Sequence, residues 1–98
     1  MDEKQAVVGS IKAVLAGYPV KKASLFGSFA RNDYTDSSDV DILLEFAEPI
    51  GLRYGSLYID LKEALQREPG LMTAKGLEGR PAQFIENVKS SLEVIYEP

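Results

Sequence analysis

The feature that most constrains the fold is a strictly alternating segment, Asp39 to Phe46, in the middle of the chain. Side chains in a β-strand point to opposite faces in turn, so this segment predicts a strand with one apolar face. That face is formed by Val40, Ile42, Leu44 and Phe46. A strand of this kind has to be covered by a second layer. Helices predicted at residues 3–17 and 54–67 supply the layer, because their apolar side chains recur at helical spacing.

The rest of the chain predicts a small sheet with further helices. The other elements are, in order, a strand at 23–26, a helical turn at 29–31, a strand at 71–73 and a last helix that begins near Pro81. Pro69-Gly70 is expected to end the second long helix. Residues 94–96 suit either an extension of the last helix or a terminal strand. The predicted fold class is α/β (α+β), a small mixed sheet of three to four short strands with helices packed mainly on one face.

Composition excludes several kinds of chemistry. The chain has 98 residues, no cysteine and no histidine. Disulfides, thiolate or imidazole metal sites and Ser–His catalysis are therefore excluded. Any reaction must use carboxylates, hydroxyls, Lys or Arg, backbone amides and a bound metal. At this length we expect one domain over residues 1–98.

Charge and hydropathy narrow the choice of partner and location. Eleven Lys and Arg residues are scattered along the chain against fifteen Asp and Glu, which gives a net charge of −4. Proteins that bind nucleic acid normally carry a basic patch, so no direct nucleic-acid binding is expected. No segment contains the roughly 20 apolar residues that span a bilayer. The polar, acidic start is unlike a signal peptide, and a cytoplasmic protein without membrane association is expected.

Gly27-Ser28 follows the first predicted strand and opens a helical turn. Glycine lets a ligand approach the backbone closely, and the amides at a helix start can donate to anionic oxygens. The serine hydroxyl adds one more donor. Because Gly-Ser is also a common turn sequence, the pair alone does not identify a binding site.

Asp39 and Asp41 are two residues apart in the alternating strand, so their carboxylates share one face. Two such charges a few ångströms apart repel by about 4 kcal/mol at an effective dielectric of about 20. Mg²⁺ would remove this repulsion, because it prefers one or two carboxylates together with phosphate oxygens and water. The alternative is an exposed edge strand whose two aspartates have no function.

The spacing of the two motifs makes a ligand site the better interpretation. Gly27 and Asp39 are twelve residues apart and should lie on adjacent strands. Phosphate-binding amides and a two-carboxylate metal site would then face one cleft. Such a cleft is suited to hold a Mg²⁺–nucleoside triphosphate and to position its α-phosphorus for attack.

These motifs, Leu25 to Arg31 and Ser38 to Leu44, resemble the minimal nucleotidyltransferases (MNT) of the polymerase-β superfamily. The signature of that family is a hydrophobic residue, Gly-Ser, a short connection and then Asp-hydrophobic-Asp. The similarity extends to Pro49-Ile50-Gly51-Leu52, Leu61 to Leu65, Lys75-Gly76-Leu77 and Val94 to Glu97. The resemblance implies a polymerase-β-like nucleotidyltransferase fold and ATP as substrate. It also implies Mg²⁺ at Asp39 and Asp41, and phosphates at Gly27 and Ser28 with support from Arg31.

The resemblance further implies a partner. Such proteins are the antitoxin halves of two-gene toxin–antitoxin modules, and their usual partner is an all-helical HEPN ribonuclease toxin. The expected reaction is transfer of AMP from ATP to a tyrosine of the toxin. For Arg31, the alternative to triphosphate binding is a salt bridge to Asp33 or Asp36.

The chain departs from the family pattern at Gly70, where the family has a third aspartate that joins the metal site and helps to deprotonate the attacking hydroxyl. Glu68 is the candidate replacement, because it shares a strand face with Gly70, although it lies about 7 Å further along. Two functions therefore remain open. One is an adenylyltransferase with catalytic Asp39, Asp41 and Glu68, and the other is a weak or inactive nucleotide-binding module that neutralises a toxin by contact. An accessory domain that delivers nucleotide to a partner enzyme is a third possibility.

Overall fold

A computed structural model describes residues 2–98 as five helices and one four-stranded sheet. The elements, in chain order, are α1 (Glu3–Leu15), β1 (Val20–Phe26), α2 (Gly27–Arg31), β2 (Val40–Phe46), α3 (Arg53–Leu65), β3 (Pro69–Thr73), α4 (Ala74–Glu78), α5 (Ala82–Ser90) and β4 (Glu93–Tyr96).

The sheet is mixed, as predicted, and its strand order is β3-β2-β1-β4. Strand β1 is antiparallel to both β2 and β4, whereas β2 and β3 are parallel and are connected by the long helix α3. The alternative left open for residues 94–96 is settled, because they belong to the edge strand β4.

The main core lies between the sheet and the helices α1 and α3. Val40, Ile42 and Leu44 of β2 are completely buried there, which confirms the predicted apolar face. The opposite face of β2 carries Asp41 and Leu43, and Leu43 packs in a smaller cluster with side chains of α4 and α5. The helices thus pack mainly on one face of the sheet, and the second face is only partly covered.

Several element boundaries differ from the sequence prediction. Strand β1 begins at Val20 rather than residue 23, and its pairing with β2 shifts register between Val20 and Lys22. Helix α3 ends at Leu65, where Gln66 takes a left-handed φ of 55°. The prediction that Pro69-Gly70 ends the helix was therefore wrong, since both residues lie in β3. Proline is tolerated there because it is the first residue of an edge strand.

Two further features of the C-terminal third were not predicted. The five-residue helix α4 follows β3 directly, and its first turn is capped by the Thr73 hydroxyl, which accepts from the Gly76 amide at 2.9 Å. Helix α5 ends at Ser90, and Leu92 beyond it is an exposed large hydrophobic residue. None of the helices described for residues 2–98 is long and apolar enough to cross a bilayer.

Candidate functional site

The Gly-Ser motif lies at the junction of β1 and α2. Gly27 has a φ of 71°, a left-handed conformation that L side chains rarely adopt, so this turn requires glycine. Phe29 of α2 is completely buried in the main core and fixes the short helix to the sheet. Asn32 ends α2 with a φ of 66°, which asparagine tolerates better than most residues.

The antiparallel pairing of β1 and β2 brings the two motifs together. Phe26 is the Cα partner of Asp41, so Gly27 lies beside the Asp41 side chain. A Cβ built on Gly27 would lie 2.5 Å from Asp41 Oδ2. The amides of the Gly-Ser turn and the Asp41 carboxylate therefore belong to the same small region of the molecule.

Gly70 lies on the other side of the same carboxylate. It is the Cα partner of Asp41 in the parallel β2–β3 pair, and a Cβ at position 70 would collide with Asp41 Oδ1. The positive-φ glycines are Gly27 and Gly51, so the backbone at Gly70 does not itself require glycine. The Asp41 carboxylate occupies space that side chains at positions 27 and 70 would otherwise take.

The two aspartates form a site of unneutralised negative charge. Burial raises the pKa of the Asp41 carboxyl, the neighbouring Asp39 carboxylate raises it further, and the Arg31 guanidinium partly opposes the rise. The four salt bridges found among residues 2–98 all use other carboxylates. A cation between Asp39 and Asp41 would therefore relieve both the repulsion and the desolvation.

The donor set fits Mg²⁺ that arrives with a phosphate ligand. Within residues 2–98, no group of three or more acidic side chains could hold a metal ion. Two carboxylates are nevertheless sufficient, because Mg²⁺ is commonly held by one or two carboxylates, with substrate phosphates and water completing its octahedron.

Ser91, a residue that the sequence analysis did not select, also contacts the motif. The Gly27 amide donates to Ser91 Oγ at 3.0 Å, and Ser91 lies directly after α5, half-buried. Locating Ser91 beside Gly27 requires knowing that residues 93–96 pair with β1 as a strand. The sequence left that point undecided, so it carried no signal that would have identified Ser91.

Arg31 takes the salt bridge considered as its alternative role. Its Nε donates to Asp33 Oδ2 at 3.0 Å, and both side chains are exposed. Its charge is nevertheless close enough to lower the pKa of Asp41. Arg31 thus lies at the border of the site and is held by Asp33 rather than by either motif aspartate.

Glu68 is not brought to the aspartate pair. The Tyr58 hydroxyl donates to its carboxylate, and Lys62 of α3 lies 3.3 Å from Glu68 Oε1. The Tyr58 hydrogen bond, together with Lys62, lowers the pKa of the Glu68 carboxyl. The sequence placed Glu68 on the strand face of Gly70, but strand β3 begins only at Pro69 and the Glu68 side chain interacts with α3 instead.

Arg67, also missed from the sequence, holds the loop between the two motifs. Its Nη1 donates to the carbonyls of Thr35 and Ser38 at 2.9 and 3.0 Å, and its Nη2 forms a salt bridge with Glu3 at 2.8 Å. The guanidinium also stacks over the Phe29 ring, 5.0 Å from its centre. Because Ser38 directly precedes Asp39, Arg67 restrains the backbone that leads into the aspartate pair.

The sequence profile of the nucleotidyltransferase domain family matches residues 8–94. The chain belongs to this family. The match includes both motifs and every strand except the last two residues of β4. The family predicted from the Gly-Ser and Asp-x-Asp motifs is therefore confirmed.

Sequence relatives support the same assignment. A protein of Methanocaldococcus jannaschii with the provisional name protein adenylyltransferase is 43% identical over 61 residues, which are 61% of this chain and 66% of the relative. A second protein of that organism with the same name is 54% identical over 35 residues, 36% of each chain. The matched segments therefore span less than two thirds of these relatives.

Solved structures share the fold. A chain of a toxin–antitoxin complex with AMP-PNP has a TM-score of 0.73 at 19% identity, covering 93% of this chain and 73% of that chain. A complex of an MNT antitoxin with a tri-AMPylated HEPN toxin of Shewanella oneidensis has a TM-score of 0.69 at 17% identity, covering 97% and 73%. A provisionally named minimal nucleotidyltransferase has a TM-score of 0.71 at 23% identity, covering 94% of both chains. These similarities confirm the predicted fold.

Proposed function

We propose that this nucleotidyltransferase-family protein binds Mg²⁺–ATP and transfers AMP to a hydroxyl group, with a tyrosine of a HEPN ribonuclease toxin as acceptor. The observation that carries the proposal is the contact of Asp41 with Gly27, which unites a carboxylate pair and a Gly-Ser turn at one point of the sheet. A further support is that one protein of the same fold was solved in complex with an AMPylated HEPN toxin.

Each residue of the site has a defined task in this proposal. Asp39 and Asp41 hold the metal, while Gly27 and Ser28 hold the β- and γ-phosphates. Gly27 does so by the close approach that its missing side chain allows, since its amide donates to Ser91 Oγ, and Ser28 does so through its hydroxyl. Arg31 adds positive charge at the border of the site without leaving Asp33. A bound Mg²⁺ would neutralise phosphate charge and make the α-phosphorus more electrophilic.

The reaction is a displacement at the α-phosphorus. The acceptor oxygen forms a bond to that phosphorus, the bond to the bridging oxygen of pyrophosphate breaks, and pyrophosphate leaves with the electron pair. The proton of the acceptor hydroxyl must pass to a base or to water. General-base help is typically worth about 10²–10⁴ in rate.

A second candidate function is favoured by Gly70, which offers no carboxylate beside Asp41. Glu68, the candidate replacement, interacts with Tyr58 and Lys62 instead. Nucleotide binding does not depend on a base, but transfer would be slow. The chain would then neutralise a toxin mainly by direct binding.

The test combines nucleotide binding with transfer. The protein is titrated with Mg²⁺–ATP by calorimetry and incubated with α-labelled ATP and the helical toxin of its own operon. We expect wild type to bind Mg²⁺–ATP and to label the toxin slowly, and Asp41→Asn to lose both. Asp36→Asn is the matched control, because it removes one negative charge from the exposed loop that precedes β2 and leaves the pair in place.

The outcomes separate the two functions. Binding without any labelling, even after long incubation, would support neutralisation by contact. Equal Mg²⁺–ATP affinity in wild type and Asp41→Asn would refute the metal site itself.

A further inference from the structure

The position of Ser91 follows from the pairing register of strands β1 and β4. In the antiparallel β1–β4 pair, Ser24 is the partner of Val94 and Leu25 is the partner of Glu93. Continuing this register past the strand ends places Ser91 opposite Gly27. The hydrogen bond from the Gly27 amide to Ser91 Oγ, 3.0 Å long, agrees with this placement.

We propose that Ser91 is a third phosphate-binding residue, next to Gly27 and Ser28, and this inference rests on the proposed function. A serine hydroxyl has one donor hydrogen and two acceptor lone pairs. The Gly27 amide uses one lone pair of Ser91, so the hydroxyl hydrogen remains available. It donates to an oxygen of the triphosphate held at the Gly-Ser turn.

The bond from Gly27 also improves Ser91 as a donor. A hydroxyl that accepts a hydrogen bond becomes polarised and donates more strongly. The same bond fixes the oxygen in place, so less side-chain freedom is lost when the phosphate binds. Ser91 therefore adds one donor to those of the Gly-Ser turn. It is supplied by the segment between α5 and β4, on the side of β1 that pairs with β4.

The neighbouring serine provides a matched comparison. Ser90 is exposed, and its hydroxyl donates to the Asn87 carbonyl at 2.8 Å within α5. Its hydrogen is thus already engaged in the helix. The two adjacent serines have the same chemistry, but only Ser91 is hydrogen-bonded to the motif.

The experiment measures the affinity of the complete chain for Mg²⁺–ATP in wild type, Ser91→Ala, Ser91→Thr and Ser90→Ala. A hydrogen bond to a charged group contributes enough that its loss weakens binding about tenfold. We expect about this loss in Ser91→Ala, recovery of most of the affinity in Ser91→Thr, and no change in Ser90→Ala. Affinity for Mn²⁺ alone, which reports on Asp39 and Asp41, should be unchanged in Ser91→Ala.

The contrary outcomes are distinct. Unchanged or tighter Mg²⁺–ATP binding by Ser91→Ala would overturn the inference and leave the proposed function intact. A parallel loss of Mn²⁺ binding, or a failure of threonine to restore affinity, would make Ser91 a structural residue and also overturn it. If wild type itself does not bind Mg²⁺–ATP, the proposed function fails and the inference fails with it.

Discussion

At the scale of single residues, the site depends on Asp41 and the two glycines that flank it. Its carboxylate lies half-buried on the less covered face of the sheet, against positions 27 and 70. The sequence predicted that Asp39 and Asp41 share a face and that Gly27 lies on the adjacent strand. It did not predict that Gly70 makes room for the Asp41 side chain, because that contact depends on the parallel register of β2 and β3.

The charge of Asp41 should destabilise the metal-free protein at neutral pH. Because its pKa in the folded state lies above the ordinary value of 3.8, the folded protein favours the protonated form. Stability is therefore lost as the pH rises from about 3.8 through the folded pKa. Asp41→Asn should melt at a higher temperature than wild type at pH 7 in EDTA. The difference should vanish below about pH 3.8, where Asp41 is protonated in both the folded and the unfolded protein.

Thermal unfolding at several pH values checks this, with Asp36→Asn as the control for the loss of one negative charge. Added Mg²⁺–ATP should stabilise wild type and not Asp41→Asn, so that wild type has the higher melting temperature of the two at pH 7. A higher melting temperature for wild type in EDTA at pH 7 would contradict the assigned pKa direction.

The second residue-scale prediction concerns Gly70. In Gly70→Asp the new Cβ collides with the present position of the Asp41 carboxylate, so that carboxylate must rotate. The collision involves the end of a side chain rather than backbone, so Gly70→Asp should fold, and so should its control Gly70→Ala. We expect Gly70→Asp to raise AMP transfer by about 10² or more, because it adds a carboxylate beside the acceptor.

Gly70→Ala separates the two effects of that substitution. It displaces the Asp41 carboxylate in the same way but adds no base, so transfer should stay at or below the wild-type rate. Equal rates of AMP transfer in Gly70→Asp and Gly70→Ala would show that the absence of a third carboxylate does not limit transfer.

At the scale of elements, strong local patterns were predicted correctly and weakly patterned ones were not. The central strand β2 and the helices α1 and α3 carry uninterrupted periodicities, and the structure contains all three. Strand β1 was predicted too short, because Lys21 and Lys22 interrupt its apolar pattern. The four-residue strand β4 is stabilised by its pairing with β1, which no local pattern reveals.

The element-scale prediction concerns the loop between the motifs, which Arg67 holds through its planar guanidinium. Lysine keeps the charge, but its single nitrogen cannot donate to the Thr35 and Ser38 carbonyls and bind Glu3 at the same time, as Nη1 and Nη2 of Arg67 do. Arg67→Lys should lose about 1–2 kcal/mol of folding stability, which is roughly 5–10 °C in melting temperature for a domain of this size. Mg²⁺–ATP affinity should fall as well, because Asp39 follows the loosened backbone.

Arg53→Lys is the matched control. Arg53 also donates to a carbonyl, that of Gly17 at 3.2 Å, and also stacks on an aromatic ring, that of Tyr18. It lies on α3, outside the loop between the motifs, so its substitution should leave nucleotide affinity unchanged. Equal effects of both substitutions on Mg²⁺–ATP binding would contradict a positioning role for Arg67.

At the scale of the whole molecule, the net charge of the chain affects how fast it associates with the proposed toxin. A ribonuclease needs a cationic surface to hold its RNA substrate. A chain with a net charge of −4 complements such a surface, and electrostatic attraction would speed their association. Association with the toxin should therefore slow as ionic strength increases, whichever of the two proposed functions is correct.

A titration of toxin activity distinguishes catalysis from neutralisation by contact, because only a catalyst acts below equimolar amounts. With one molecule of this protein to about twenty of the proposed toxin, we expect wild type to abolish ribonuclease activity slowly and only with Mg²⁺–ATP, since each molecule turns over repeatedly. Asp41→Asn should have no effect at that ratio, yet both proteins should inhibit at once when equimolar, because the complex itself covers the toxin. Ribonuclease activity followed over time, with Asp36→Asn as control, provides the measurement. If wild type and Asp41→Asn are indistinguishable at every ratio, and neither acts below one to one, the chain is a binding module and adenylyl transfer is not its means of neutralisation.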